Sequence, residues 1–284
     1  MSPAAIQPPG RVKEIESASN AIVKDIKSLE KKRVREETNS FFVEGQKLLI
    51  DALDQGWSVK TLIVAKNSAS EERSNRLIQR CVAAGVDVLL VSKKVLTSVA
   101  RRDNPQMVCG VIERRFRALP TIQIMKGETW IALDRVRDPG NLGTIIRTAD
   151  ALGASGIILV GDTTDPYAID TVRATMGSIF NNPIVRATQD EFAKFVANFS
   201  GQVVATHLAG SVDFREVDFS GKPTILLMGN EQSGLPDALV QLATQLVRIP
   251  QTGSADSLNL AIATAICLFR AREHALPKIG EQSQ

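Results

Sequence analysis

Short apolar segments alternate with charged, amphipathic segments along most of the chain, which is typical of α/β proteins. In the first 118 residues, apolar runs predict strands at 41–43, 59–64, 86–91 and 107–112. The polar segments between them have helical spacing, and the first predicted helix spans the basic stretch 21–35. This part therefore reads as a small α/β domain.

The alternation resumes after a break at Pro120, with strands predicted at 130–133, 156–160, 202–206, 224–228 and 246–249. Two of these runs are continuously apolar, which favours a mainly parallel sheet covered on both faces. Helices are predicted over 142–152 and 257–272. We divide the chain into a flexible tail (1–20), a first domain (21–118), a linker (119–127), a second domain (128–276) and a flexible tail (277–284).

Charge is unevenly distributed, although the formal net charge is only +3. Basic residues outnumber acidic ones in 1–118, and the reverse holds in 119–284. A basic module joined to an acidic one suggests binding of a polyanion, with a solvated basic surface as the alternative. The basic candidates are Lys24, Lys27, Lys31, Lys32, Arg33, Arg35, Arg101, Arg102, Arg114, Arg115 and Arg117.

Several classes of protein are disfavoured by composition. No run of 18 apolar residues predicts a membrane span, and the N-terminus lacks the pattern of a secretory signal, so we expect a cytoplasmic protein without membrane contact. Three scattered cysteines and two histidines match no disulfide framework or metal site, so no metal is expected.

Three polar segments follow predicted strands, where open parallel sheets bind ligands. The first, 137–150, contains Asn141 at an expected helix cap and Arg147 on an otherwise apolar helix. The second, 228–236, holds Asn230 and Glu231 between glycines. The third, 249–259, ends with Ser257, expected to cap the last helix, and with Asn259 in its first turn. Each alone could be an ordinary structural turn.

Taken together, these segments resemble the SpoU (TrmH-type) branch of the SPOUT RNA methyltransferases. The resemblance rests on N-x-G-x-x-x-R at 141–147, G-N-E-x-x-G at 229–234, S-L-N at 257–259 and R-x-x-M-G-S at 173–178, and it covers about 130–273. The segment 42–45 and the alternation after it resemble the ribosomal-protein-like substrate-binding domain found ahead of many such enzymes.

This resemblance implies a parallel-sheet SPOUT domain with a C-terminal trefoil knot, preceded by the small α/β domain. It also implies a homodimer with the final helix in its interface, and methyl transfer from S-adenosylmethionine to a ribose 2′-hydroxyl of RNA. Carried over by motif, the catalytic candidates are Arg147, Asn141, Glu231, Ser257 and Asn259, and the cofactor candidates are Gly229, Ile249, Leu258, Met228, Pro250 and Thr206.

Alternatives remain open at this stage. The separate N-terminal domain favours 23S ribosomal RNA as substrate, with tRNA as the rival within the same chemistry. A non-catalytic RNA-binding assembly factor is the rival of another class. A nicotinamide-dependent oxidoreductase is disfavoured because the glycine fingerprint of dinucleotide-binding folds is absent.

Overall fold

A computed structural model of the protein describes residues 8–208, 210, 212–254 and 257–278. The strands are β1 (Val12–Ile15), β2 (Ser40–Glu44), β3 (Val59–Ala65), β4 (Asp87–Val91), β5 (Val108–Glu113), β6 (Thr129–Asp134), β7 (Gly156–Val160), β8 (Ile184–Ala187), β9 (Gln202–Thr206), β10 (Val212–Asp213), β11 (Thr224–Met228) and β12 (Gln245–Arg248). The α-helices are α1 (Ala21–Ser28), α2 (Lys32–Thr38), α3 (Gln46–Asp54), α4 (Glu72–Ala83), α5 (Lys93–Ala100), α6 (Pro139–Ala151), α7 (Ile169–Thr175), α8 (Gln189–Ala197), α9 (Asp237–Val240) and α10 (Leu260–Arg272).

The chain divides into two compact units. The first comprises the described residues up to Arg114 together with Tyr167–Phe180, and the second comprises Arg115–Pro166 together with the described residues from Asn181 onward. The excursion Tyr167–Phe180, which contains the R-x-x-M-G-S stretch, therefore packs with the first unit although it lies within the sequence of the second. Arg173 on α7 reaches the buried Glu44 carboxylate at 2.9 Å.

The first unit contains a five-stranded sheet in the order β1-β4-β3-β5-β2. Strands β1, β4 and β3 run parallel, whereas β5 is antiparallel to both of its neighbours. The flexible tail predicted for 1–20 was wrong at β1, because this short strand pairs with β4. The basic stretch 21–35 forms two helices, broken before Lys32, instead of one.

Two of the basic candidates for RNA contact are buried in this unit. Arg35 is 3% exposed, and its guanidinium donates to the carbonyls of Leu29 and Glu30 at 2.8 and 2.6 Å. Arg114 is 7% exposed and lies 5.6 Å above the ring of Tyr167. The expectation that they contact RNA was wrong, because both guanidinium groups are buried and contact other residues of the first unit.

The second unit contains a seven-stranded sheet in the order β10-β12-β9-β11-β6-β7-β8, and each neighbouring pair is parallel. This confirms the parallel sheet predicted from the continuously apolar runs. The central strands β6, β7 and β11 are buried along their whole length. Because all strands point the same way, their carboxyl ends form one edge, and the three polar segments lie there.

The predicted C-terminal tail is described only up to Lys278, so most of 277–284 lies outside the described residues. Within the described residues, no helix has the length and apolar character needed to cross a membrane.

Candidate active site

The three polar segments of the second unit line one pocket of about 510 Å³. That volume is in the usual range for sites that hold a small molecule or cofactor. Its walls come from the loop after β6, the loop after β11 and the start of α10. The lining residues are Arg137, Asp138, Asn141, Asn230, Glu231, Gln232, Ser257, Leu258, Asn259 and Leu260.

A directed chain of hydrogen bonds crosses this pocket. Asn259 Nδ2 donates to Asn141 Oδ1 at 2.9 Å, and Asn141 Nδ2 donates to Glu231 Oε1 at 3.2 Å. These three residues are 118 and 90 positions apart in the chain, and each belongs to a different motif. The structure therefore brings together three of the five predicted catalytic residues, and a fourth, Ser257, also lines the pocket.

Glu231 is anchored by backbone donors as well as by Asn141. Its Oε2 accepts from the Arg137 amide at 3.3 Å, and its Oε1 accepts from the Asp138 amide at 3.4 Å. Asn230 Nδ2 also lies 3.4 Å from Oε2. A carboxylate has only acceptor atoms, so it suits a position that several donors face. Through these hydrogen bonds the Glu231 side chain links the loop after β11 to the loop after β6.

The loop after β11 is a tight turn closed by its own backbone. Asn230 and Gly234 exchange backbone hydrogen bonds, and the Asn230 side chain accepts from the amides of Gln232 and Ser233, both at 3.0 Å. Gly229 leaves no room for a side chain, because a Cβ there would lie 2.6 Å from the Gly234 carbonyl carbon. The G-N-E-x-x-G spacing thus builds the turn that presents Glu231.

Two helix caps differ from the sequence-based predictions. Asp138, not Asn141, caps α6: its Oδ1 accepts from the Asn141 amide at 2.6 Å. Asn259, not Ser257, caps α10: its Oδ1 accepts from the amides of Ala261 and Ile262. Pro139 at the first helical position was the signal for the earlier cap, because proline favours that position. Asp138 and Arg137 were missing from the predicted site.

The cofactor candidates lie at neighbouring strand ends. Thr206 ends β9, Met228 ends β11 and Ile249 follows β12, and these three strands are adjacent in the sheet. Thr206 Oγ1 lies 3.6 Å from Met228 Sδ. Gly229 directly follows Met228 and Pro250 directly follows Ile249, whereas Leu258 lines the pocket from the third polar segment.

Arg147 is the one predicted catalytic residue outside the described pocket lining. It lies on the exposed side of α6, six residues beyond Asn141, or about 9 Å along the helix axis. Within the described residues, its guanidinium makes no hydrogen bond or ion pair. Among the described residues, this cation is therefore left available to an external anion.

No group of three or more His, Cys, Asp or Glu side chains that could hold a metal occurs in the described part of the chain. The three cysteines are buried, and desolvation raises the pKa of the Cys81 thiol to about 11 and that of Cys267 to about 12. These thiols are therefore neutral near pH 7 and unsuited to nucleophilic chemistry.

Two protein-family models match the chain, one over each of its two main parts. The model of the SpoU rRNA methylase family matches residues 128–269, which include the whole pocket. The chain belongs to the SpoU rRNA methylase family. The model of the MRM3-like substrate-binding domain matches residues 20–110. The SpoU match spans all three polar segments, and the second match spans most of the basic N-terminal part.

Relatives of known activity align with nearly the whole chain. The 23S rRNA (guanosine(2553)-2′-O)-methyltransferase of Bacillus subtilis is 31% identical over 92% of this chain and 100% of its own length. The 23S rRNA (uridine(2479)-2′-O)-methyltransferase of Streptomyces viridochromogenes is 32% identical over 84% of each chain. The crystal structure of an AdoMet-bound rRNA methyltransferase from Sinorhizobium meliloti is 57% identical, with a TM-score of 0.89, and covers 94% of this chain and 100% of its own.

Proposed function

We propose that this SpoU protein transfers a methyl group from S-adenosylmethionine to a ribose 2′-hydroxyl of 23S ribosomal RNA. The observation that carries the proposal is the directed chain from Asn259 through Asn141 to Glu231, in a pocket at the carboxyl edge of the sheet. Alignment of ribosomal RNA methyltransferases over both units supports the choice of substrate.

S-adenosylmethionine would lie across the ends of β9, β11 and β12, and it would supply an electrophilic methyl group. Gly229, Ile249 and Leu258 would bind it mainly through backbone groups, with Met228, Pro250 and Thr206 as neighbouring wall. The AdoMet-bound crystal structure of the Sinorhizobium meliloti relative supports this cofactor. We also propose the trefoil knot that the family resemblance implies.

The residues of the pocket would orient the ribose. Ser257 and Asn259 line the pocket with a hydroxyl and an amide suited to sugar hydroxyls, while Asn141 and Glu231 hold the two loops at a fixed separation. Positioning is the main requirement, because the methyl group is already activated for attack by the 2′-oxygen. The proton of that hydroxyl must still leave as the new bond forms.

Arg147 would assist this proton loss electrostatically. A guanidinium stays protonated in proteins, so it cannot serve as a simple base. It can bind the phosphate next to the target ribose and stabilise negative charge on the 2′-oxygen. Its exposed position without a partner among the described residues fits contact with RNA.

The first unit would bind RNA through exposed basic side chains. Contacts to phosphates give affinity and orientation, and the 2′-hydroxyl at the pocket distinguishes RNA from DNA. The exposed candidates of this unit include Lys24, Lys31, Lys32, Arg33, Arg101 and Arg102, and the exposed Arg115 and Arg117 follow at the start of the second unit. We propose RNA binding for the domain 21–118 and catalysis for the domain 128–276, with β1 and the excursion Tyr167–Phe180 packing with the RNA-binding part. A ribosomal RNA substrate also leads us to propose a cytoplasmic location.

The direct test is methyl transfer from labelled S-adenosylmethionine to total RNA from a strain lacking this gene, with wild-type and Arg147→Ala protein in parallel. We expect label in large ribosomal RNA as an alkali-resistant 2′-O-methyl dinucleotide, lost in the variant. Label only in tRNA would replace the proposed substrate by the tRNA alternative. Failure to bind S-adenosylmethionine would favour the non-catalytic assembly factor.

A second proposal concerns the assembly. On α10, Ile262, Ile266 and Phe269 are 52%, 36% and 55% exposed and recur at i, i+4 and i+7, so they form one apolar stripe. We propose that this stripe packs against its counterpart in a homodimer. α10 packs on α6, which carries Arg147, so the proposed interface lies beside the helix of Arg147. We propose that Arg147 of the partner subunit completes the pocket.

Subunit mixing tests this arrangement. Arg147→Ala and Asn141→Ala proteins are each expected to be nearly inactive. If each site takes Arg147 from the partner, a mixed dimer has one intact site, and random exchange should restore about a quarter of wild-type activity. If both residues act within one subunit, mixing restores nothing. Monomers in light scattering at micromolar concentration would contradict the dimer itself.

A further inference from the structure

Directly after β6 the chain makes an unusual turn that no polar motif explains. Arg135 has a φ of 48°, in the left-handed region that residues other than glycine avoid. The residue before it, Asp134, is fully buried. A costly backbone conformation beside a buried carboxylate indicates that the surrounding contacts hold the turn in place.

The Asp134 carboxylate restrains the side chain of Arg135 at this turn, while the Arg135 amide donates to the Val160 carbonyl at 2.9 Å. Asp134 Oδ2 accepts from Arg135 Nε at 2.8 Å and lies 2.8 Å from Nη2, so two nitrogens of the ion pair meet one carboxylate oxygen. Asp134 Oδ1 accepts from Gln189 Nε2 at 3.2 Å, so the carboxylate itself is fixed from a second element, α8.

Arg135 in turn contacts the loop that carries Glu231. Its carbonyl oxygen accepts from Asn230 Nδ2 at 2.8 Å, and its guanidinium donates to the Gly234 carbonyl at 3.4 Å. The left-handed turn is what aims the carbonyl at Asn230. Two residues further on, the Arg137 amide donates to Glu231.

We propose that Asp134 and Arg135 are positioning residues: the ion pair holds Arg135 in its left-handed conformation, and Arg135 thereby sets the loop that presents Glu231 to Asn141. The inference rests on the proposed function only for its catalytic readout. Neither residue lines the described pocket, and neither belongs to the three motifs.

The test separates the backbone conformation from the side chain. Asp134→Asn breaks the ion pair, and we expect kcat to fall about tenfold with little change in the KM for S-adenosylmethionine. Adding Arg135→Gly to that variant should recover about fivefold, because glycine adopts the left-handed turn without help. Adding Arg135→Ala should recover nothing, because alanine lacks both the ion pair and that freedom.

Amide hydrogen exchange supplies a readout that does not need catalysis. The amides of Gln232 and Ser233 bond to the Asn230 side chain, so they report whether Arg135 still anchors that residue. We expect about tenfold faster exchange in Asp134→Asn and in Asp134→Asn/Arg135→Ala, and near wild-type exchange in Asp134→Asn/Arg135→Gly. Melting temperatures and cofactor stoichiometry would correct each rate for the folded fraction.

The outcomes are distinct. If the exchange pattern appears but wild-type protein methylates no RNA, the proposed function fails and the positioning role stands. Equal kcat and equal exchange in the glycine and alanine double variants would overturn the role. If Asp134→Asn does not fold, the single variants Arg135→Gly and Arg135→Ala provide the same comparison, since both remove the ion-pair partner of Asp134. A difference in kcat below twofold between these two variants would overturn the proposal.

Discussion

Replacing Asn259 by Asp would test whether the hydrogen-bond chain across the pocket has a fixed direction. Oδ1 of Asn259 caps α10 by accepting from the Ala261 amide at 2.9 Å, while Nδ2 donates to Asn141 Oδ1. The substitution keeps the cap but puts an oxygen where the donor was. Asn141 cannot turn its amide over to compensate, because its Nδ2 already serves Glu231, which can only accept.

The size of the effect follows from the groups involved. The lost hydrogen bond is worth about 0.5–1.5 kcal/mol, and two facing oxygens add to the cost. A carboxylate at a helix N-terminus offsets about 0.3–1 kcal/mol of this. We therefore expect the free energy of unfolding to fall by about 1 kcal/mol. Asn20→Asp is the matched control, because Asn20 caps α1 in the same way and its Nδ2 makes no bond within the described residues.

The Glu231→Gln variant completes a double-mutant cycle. Alone it should cost about 1–2 kcal/mol, because the Arg137 amide and Asn230 lose an acceptor. Combined with Asn259→Asp, however, it supplies a donor at position 231 and an acceptor at position 259. Asn141 can then turn its side-chain amide over, so that position 231 donates to Asn141 and Asn141 donates to position 259. With every hydrogen bond of the series reversed but kept, the two changes together should cost about 1 kcal/mol less than their sum.

Urea unfolding would measure this coupling. Trp130 lies in β6 of the unit that holds the pocket, so its fluorescence in a Trp57→Phe background follows that unit alone. The control Asn20→Asp lies in the first unit and is followed by Trp57 fluorescence in a Trp130→Phe background. Costs that add to within about 0.3 kcal/mol would refute a directed chain. A loss in Asn20→Asp as large as that in Asn259→Asp would show instead that the cap, not the chain, determines the effect.

Three further outcomes are expected. Gly229→Ala should abolish binding of S-adenosylmethionine in calorimetry, because its Cβ would lie 2.6 Å from backbone, whereas Gly253→Ala, with nothing within 4 Å, should still bind. Asp138→Ala should lower stability to urea by about 1 kcal/mol through loss of the α6 cap; an unchanged midpoint would contradict that cap. Cys81 ionises near pH 9 when unfolded but, because burial raises its pKa, only near 11 when folded. The free energy of unfolding should therefore fall as pH rises from about 9 to 11, and less steeply in Cys81→Ala.

Local patterns were sufficient for five of the seven strands of the second unit, whereas β8, β10 and the helices α8 and α9 were not predicted. A strand buried on both faces must be apolar throughout, so β7 and β11 are visible as unbroken runs, and such runs imply parallel neighbours. Strand β1 carries no such signal. It has four residues, of which only Ile15 is buried, and it exists because β4 offers a distant edge.

The caps show where local reasoning ends. Ser257 and Asn259 are both good cap residues, and two positions apart they predict helix starts equally well. The structure adds a contact that neither position predicts: Asn259 Nδ2 donates to Asn141 Oδ1, 118 residues away, while Asn259 Oδ1 caps the helix. The packing of Tyr167–Phe180 with the first unit likewise involves a contact between residues far apart in the sequence, because Arg173 binds Glu44 across 129 positions.

The use of asparagine at the start of α10 also connects the pocket to the proposed dimer. An amide cap accepts from the helix with one atom and donates into the site with the other, so the helix and the pocket share one fixed point. Ile262, which begins the exposed apolar stripe, is only three residues further along. A partner that covers this stripe therefore lies within about one helical turn of Asn259, which bonds to Asn141 in the proposed active site. Separating the subunits should consequently disturb the pocket itself, and activity should fall with the dimer fraction even when each monomer stays folded.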